Sequence, residues 1–91
     1  MDKVLFDKVE KQIQKLPSFI VQKLLAWAKS VERAGLREIR KIPGYHDEPL
    51  KGQRFGQRSF RLSKAYRAIY SESKDGTINL IIIEEVNKHE Y

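Results

Sequence analysis

Residues 50–70 read LKGQRFGQRSFRLSKAYRAIY, and this stretch decides the fold. Over 57–62 the residues alternate, with Arg58, Phe60 and Leu62 on one face and Ser59 and Arg61 on the other. That period of two is the signature of a half-buried strand. Residues 66–70 repeat it, and Ser63-Lys64-Ala65 is short enough to join the two strands as neighbours. The stretch also holds the charge. Between Lys51 and Tyr70 lie six cations (Lys51, Arg54, Arg58, Arg61, Lys64, Arg67) and no Asp or Glu, which equals the whole formal excess of +6. Phe55, Phe60, Tyr66 and Tyr70 sit among them. A basic ribbon studded with aromatics suits a surface that meets phosphates, or a strand pair whose charges only keep the protein in solution.

Working outward, Asp75-Gly76 signals a hairpin turn, and 77–86 then reads as a strand. Its run of Ile78 and Leu80 to Ile83 predicts a central position in the sheet. Pro43-Gly44 marks a turn before an irregular loop bounded by Pro49, while 36–42 fits either a helical turn or an extended connection. Upstream, Phe19, Ile20, Leu24, Trp27, Ala28 and Val31 predict a long amphipathic helix, with Ser18 as N-cap and Gly35 as C-cap. A first helix from Asp7, carrying Val9, Ile13 and Leu16, ends at Pro17. Val4-Leu5-Phe6 reads as an edge strand or as the start of that helix. The order predicts an α+β domain spanning 1–91: a small twisted antiparallel β-sheet with an N-terminal helical hairpin packed on one face.

Composition narrows the function. A chain of 91 residues forms one modest core. With no cysteine it has neither disulfides nor thiolate metal sites. No apolar run reaches membrane-spanning length, and MDKVLFDKVEK lacks the apolar centre of a signal peptide, so the expected location is the cytoplasm. The glycines make neither a dinucleotide fingerprint nor a phosphate-binding loop, and His46 and His89 lack metal-ligand spacing, so no cofactor is expected. A sequence pI of 9.7 calls for an acidic partner.

What remains suits metal-independent RNA cleavage. Attack of a ribose 2′-hydroxyl on the adjacent phosphate requires a base, an acid for the leaving 5′-oxygen, and cations for the phosphorane. Arg61 and Arg67 offer guanidinium forks for phosphate oxygens. Glu48 can accept a proton, His89 titrates near neutrality, and Tyr91 adds a phenol. Lys51, Arg54, Arg58, Lys64 and Lys88 can steer the RNA backbone, and aromatic faces can stack on bases. Plainer readings stand beside these: solvated strand cations, a loop acid paired with lysine, and a frayed terminus carrying His89 and Tyr91.

The run DEPLKGQRFGQRSFRLSKAYRAIY (47–70), followed by a hairpin and a tail rich in Lys, His and Tyr, resembles the RelE/ParE toxin superfamily. The PLKG element, the R-x-x-R strand and the YRxxY strand come in that family's order across nearly the whole chain. The likeness is greatest to the RelE-, HigB- and YoeB-like ribosome-dependent mRNA interferases of bacterial toxin–antitoxin systems. It implies a twisted sheet with helices on one side, and cleavage of mRNA in the ribosomal A site. It also implies a cognate antitoxin as partner. By the resemblance, Glu48 in EPLKG occupies the place of a catalytic glutamate, Arg67 that of an arginine on the scissile phosphate, and Arg61 another basic strand position. His89 and Tyr91 resemble a terminal His/Tyr pair, here separated by Glu90. Two other readings share the fold: a ParE-like toxin that poisons DNA gyrase, and a noncatalytic RNA- or protein-binding module.

Overall fold

The computed structural model describes residues 1–88. Five strands form one sheet in the order β1-β5-β4-β3-β2: β1 Asp2–Leu5, β2 Glu48–Pro49, β3 Arg58–Arg61, β4 Tyr66–Asp75 and β5 Ile78–Lys88. All neighbours pair antiparallel except β1, which runs parallel to β5 from Asp2↔Asn79 to Leu5↔Ile82. The α+β architecture agrees with the sequence, and Val4-Leu5 belongs to an edge strand. The sheet is mixed, however, because the first and last strands of the chain lie side by side.

The helical hairpin is also looser than periodicity suggests. Its first arm is a 3-10 turn over Asp7–Val9 running into a single helical turn, α1 Glu10–Ile13. That arm takes over where β1 stops along β5. The Gln12 side chain donates to the Val86 carbonyl and accepts the Val86 N–H (3.0 Å), as a further strand residue would. The second arm, α2 Ser18–Ala34, is the long helix expected. Ser18 is its first residue, not its cap. Pro17 holds the cap position, and its carbonyl receives Ile20 and Val21 N–H (3.0 and 3.2 Å). At the other end Gly35 adopts φ 91°, a backbone region that favours glycine, and the chain turns into α3 Leu36–Ile39. The Asp2 carboxylate receives the Leu36 N–H (2.7 Å), which ties α3 to β1. The outer edge of β1 is likewise occupied, because Glu32 of α2 accepts the Val4 N–H (2.9 Å). That contact removes a donor that would otherwise invite edge pairing.

The core lies between α2 and one face of the sheet. Ile20, Leu24, Trp27, Ala28 and Val31 are buried against Val4, Phe60, Ala68, Tyr70, Ile81, Ile83 and Val86. Phe19 is exposed, since one residue before Ile20 means about 100° around the helix from the buried stripe. At the centre the Trp27 indole stacks on Phe60 (centroids 3.9 Å apart, planes at 10°) and meets Tyr70 at 5.5 Å. Among the described residues no helix is long and apolar enough to cross a membrane.

A β-bulge shapes the last strand. Ile69 pairs with Glu85 but Tyr70 pairs with Ile83, so Glu84 is an extra residue. Pairings on either side put both glutamates on the face away from α2, return Val86 to the core, and set Asn87 beside Arg67 on that same outer face. The Glu84 carboxylate accepts Lys8 Nζ (2.8 Å) and Ser71 Oγ (2.6 Å). Burial by itself would raise its pKa, but these two bonds prevail and hold it below the ordinary glutamate value.

Two outcomes follow. Trp27→Ala empties the centre of the core, and urea denaturation should show a loss of about 3–5 kcal/mol. Because Glu84 has a depressed folded-state pKa, its contribution is present above the ordinary carboxylate range and fades as pH falls through the folded value. Thermal denaturation from pH 7 to pH 3 should therefore show a shallower acid-side decline for Glu84→Gln than for the wild type.

Candidate functional site

The candidate site lies on the sheet face that α2 leaves bare. Its foundation is the turn between β3 and β4. Ser63 Oγ accepts the N–H groups of Ala65 and Tyr66 (3.2 Å each), and Leu62 N–H bonds the Tyr66 carbonyl (2.9 Å). This closes the strand pair in the register Arg61↔Arg67, Phe60↔Ala68, Ser59↔Ile69. Phe60 and Ala68 are core residues, so Arg61, Arg67, Ser59 and Ile69 face the opposite side.

Arg61 and Arg67 thus stand directly across from each other, an arrangement of like charges that costs stability unless an anion joins it. Arg67 has such a partner: its Nη2 donates to Glu48 Oε1 (2.9 Å) and to Ser59 Oγ (2.7 Å). Among the described residues Arg61 forms no ion pair. Glu48 reaches this spot because β2 pairs with β3 as Glu48↔Ser59. Glu48, Leu50, Ser59, Arg67, Ile69 and Asn87 line a shallow depression of about 220 Å³. An exposed carboxylate, the Arg67 guanidinium and an amide thus edge one opening, while Arg61 borders a separate hollow with Lys23, Ile42 and Tyr45.

The remaining cations of the basic ribbon divide among different tasks. Arg54 forms an ion pair with Glu85 and donates to Gln57 Oε1 (2.9 Å), which draws the 52–57 loop toward β5 on the bare face. Phe55, next in sequence, is 86% exposed. Lys51 and Lys64 are exposed beside the β2–β3 and β3–β4 connections, and Lys88 is exposed at the end of β5. Arg58 faces the helix side. Its Nε donates to Asp47 Oδ1 (2.6 Å), the Tyr70 hydroxyl donates to Asp47 Oδ2 (2.5 Å), and Arg40 Nε lies 3.9 Å from Oδ1. The Asp47 side chain is only 1% exposed. Burial, then the bond to Asp47, raises the Tyr70 pKa. Arg40 also holds Glu72 (2.7 Å), and despite the opposing effect of burial the nearby Tyr70 and Glu72 oxygens raise its pKa.

The structure therefore joins Glu48 to Arg67, sets Arg61 across the strand pair from Arg67, and sends Arg58 to the other side of the sheet. His89 and Tyr91 lie outside the described residues. Three participants escaped the sequence reading: Ser59, Asn87 and Asp47. Ser59 was detectable, since a small hydroxyl two residues before Arg61 shares its face. Asn87 was not, because the bulge resets the alternation. Asp47 depends on Arg58 and Tyr70, partners that no local pattern connects to it.

Substitution should separate the two ribbon arginines. Arg58→Ala takes from a buried carboxylate its hydrogen-bonded cation, leaving only Arg40 at 3.9 Å, and should lower the midpoint of chemical denaturation clearly. Arg61→Ala should leave the unfolding midpoint unchanged or slightly raised, because it removes a like-charge pair.

No protein-family model matches the chain, and no curated protein matches it in sequence. Solved structures do match over its whole length. A YoeB/ParE toxin from Agrobacterium tumefaciens superposes with a TM-score of 0.69 at 20% identity, covering 97% of this chain and 99% of that one. The toxin–antitoxin complex RelBE2 from Mycobacterium tuberculosis contains a chain with a TM-score of 0.67 at 24% identity, covering 96% of each. A chain of the YoeB–YefM complex from Staphylococcus aureus matches with a TM-score of 0.66 at 22% identity, covering 99% of this chain and 97% of that one. The chain shares the fold of these toxin chains.

Proposed function

We propose that this protein is the toxin of a type II toxin–antitoxin pair, an endoribonuclease that cleaves mRNA in the ribosomal A site. The observation that carries this reading is the cross-strand pair Arg61↔Arg67, with Glu48 at hydrogen-bond distance from Arg67. Two cross-strand arginines, of which only Arg67 holds the Glu48 carboxylate, retain a net positive charge, and a phosphate diester is the ligand that balances it. In the reaction the 2′-oxygen forms a bond to phosphorus as the bond to the 5′-oxygen breaks. The products are a 2′,3′-cyclic phosphate and a 5′-hydroxyl. Arg67 and Arg61 take the negative charge that grows on the phosphorane oxygens. Glu48 lies beside that position and accepts a proton, while His89 and Tyr91, directly beyond Lys88 in the chain, complete the proton transfers. Neither step calls for a metal ion.

The basic charge supports partners of two kinds, mRNA on the ribosome and an antitoxin that covers the site. Two of the similar structures are themselves toxin–antitoxin complexes. Such a protein acts in the cytoplasm.

The test is primer extension on an mRNA after addition of the protein to a cell-free translation system, with and without ribosomes. New 5′ ends inside codons, only during translation, are expected. Arg67→Ala should reduce the cleavage rate by about 100-fold or more with the fold retained, and His89→Ala should also abolish toxicity. Cleavage without ribosomes would identify a general ribonuclease. No cleavage, with DNA synthesis arrested in cells, would replace this reading with gyrase poisoning.

A further inference from the structure

Asp47 and Glu48 are neighbours in sequence on opposite sides of the sheet. Strand β2, which carries Glu48, is two residues long, and its register consists of Glu48↔Ser59 and Pro49↔Arg58. With only two residues the ladder by itself holds this strand weakly, and Pro49, which lacks an N–H, turns its nitrogen to the open edge of the sheet. Beyond it, the Leu50 N–H bonds the Gln57 carbonyl (2.9 Å). The other anchor is the Asp47 carboxylate, which grips Arg58 of β3 and the hydroxyl of Tyr70 of β4 (2.6 and 2.5 Å). On the bare face Glu48 and its neighbours use the same two strands, through Ser59 of β3 and Arg67 of β4. The residue before Asp47, His46, holds a left-handed backbone at φ 46°, a conformation that a non-glycine residue keeps only where its surroundings impose it.

We infer that Asp47, held by Arg58 and Tyr70, is a positioning residue that fixes the Glu48 carboxylate against Arg67 from the far side of the sheet. This rests on the function proposed above, which it deepens. Burying a carboxylate is costly, and an apolar residue in its place would often serve stability as well. Here the carboxylate does what an apolar side chain cannot. It makes two directional bonds that fix the direction of the next residue. Tyr70 gives those bonds a rigid base, since its ring packs on Trp27 and Phe60.

Asp47→Ala is a poor probe, because it strips Arg58 of its partner and risks the fold. Tyr70→Phe keeps the ring in the core and removes only the hydroxyl. It should lower kcat for ribosome-bound mRNA by roughly 10–100-fold, with KM unchanged, as expected for a small misplacement of a reacting group. In a Glu48→Gln background the same substitution should have no further effect, because the carboxylate it positions is gone. Equal losses in both backgrounds, or a wild-type rate in Tyr70→Phe, would overturn the inference. NMR of the Arg67 guanidinium gives a reading independent of cleavage. Its Nη protons should exchange slowly in the wild type and faster in Tyr70→Phe. If the wild type cleaves no mRNA, the proposed function fails and the tether is judged on this exchange alone. Unchanged Arg67 exchange would then reject it.

Discussion

The Trp27–Phe60 stack is the contact on which the rest of this structure depends. Strand side chains alternate strictly, so slipping β3 by one residue would move Phe60 to the bare face and Ser59 and Arg61 into the core. A large aromatic pair at 3.9 Å, with Tyr70 at 5.5 Å, makes that slip prohibitive. Fixing Phe60 on the helix side therefore fixes Arg61 on the other, and through the Arg61↔Arg67 register it fixes Arg67 as well. The chemistry on one face is held in place by packing on the opposite face.

The basic ribbon acquires meaning only once it is divided between those faces. Arg58 satisfies the buried Asp47, Arg54 pairs with Glu85, and Arg67 shares Glu48 and Ser59. Arg61 stands across from a like charge with no acid of its own among the described residues. Folded proteins avoid facing like charges where nothing is to be gained, and sites that bind anions accept them. The local imbalance at Arg61 and Arg67 is thus more telling than the net charge of +6.

Much of the fold was legible because its signals are local. The alternation through Ser59-Phe60-Arg61, the glycine turn after Asp75 and the stripe around Trp27 each sit within a dozen residues. Gly35 ended α2 where it was expected, and the resemblance singled out Glu48 and Arg67, which the fold joins by a hydrogen bond. The parallel docking of β1 was not legible, since it joins opposite ends of the chain and its four residues carry no parallel signature. Nor was the bulge at Glu84, which appears in sequence only as two successive acids after an apolar run. The role of Asp47 was hidden for the same reason, because both its firm partners lie on strands brought close only by folding. The sheet was read from periodicity, but the site required tertiary pairings.

The most direct measurement is a cryo-electron-microscopy structure of this protein on a translating ribosome whose A-site codon carries 2′-O-methyl groups, which block attack and hold the substrate intact. The account predicts the bare sheet face turned to the mRNA, with Arg61 and Arg67 on the scissile phosphate and Glu48 near the methylated 2′-oxygen. Binding through the α2 face, or an mRNA path that leaves both arginines without phosphate contact, would contradict it.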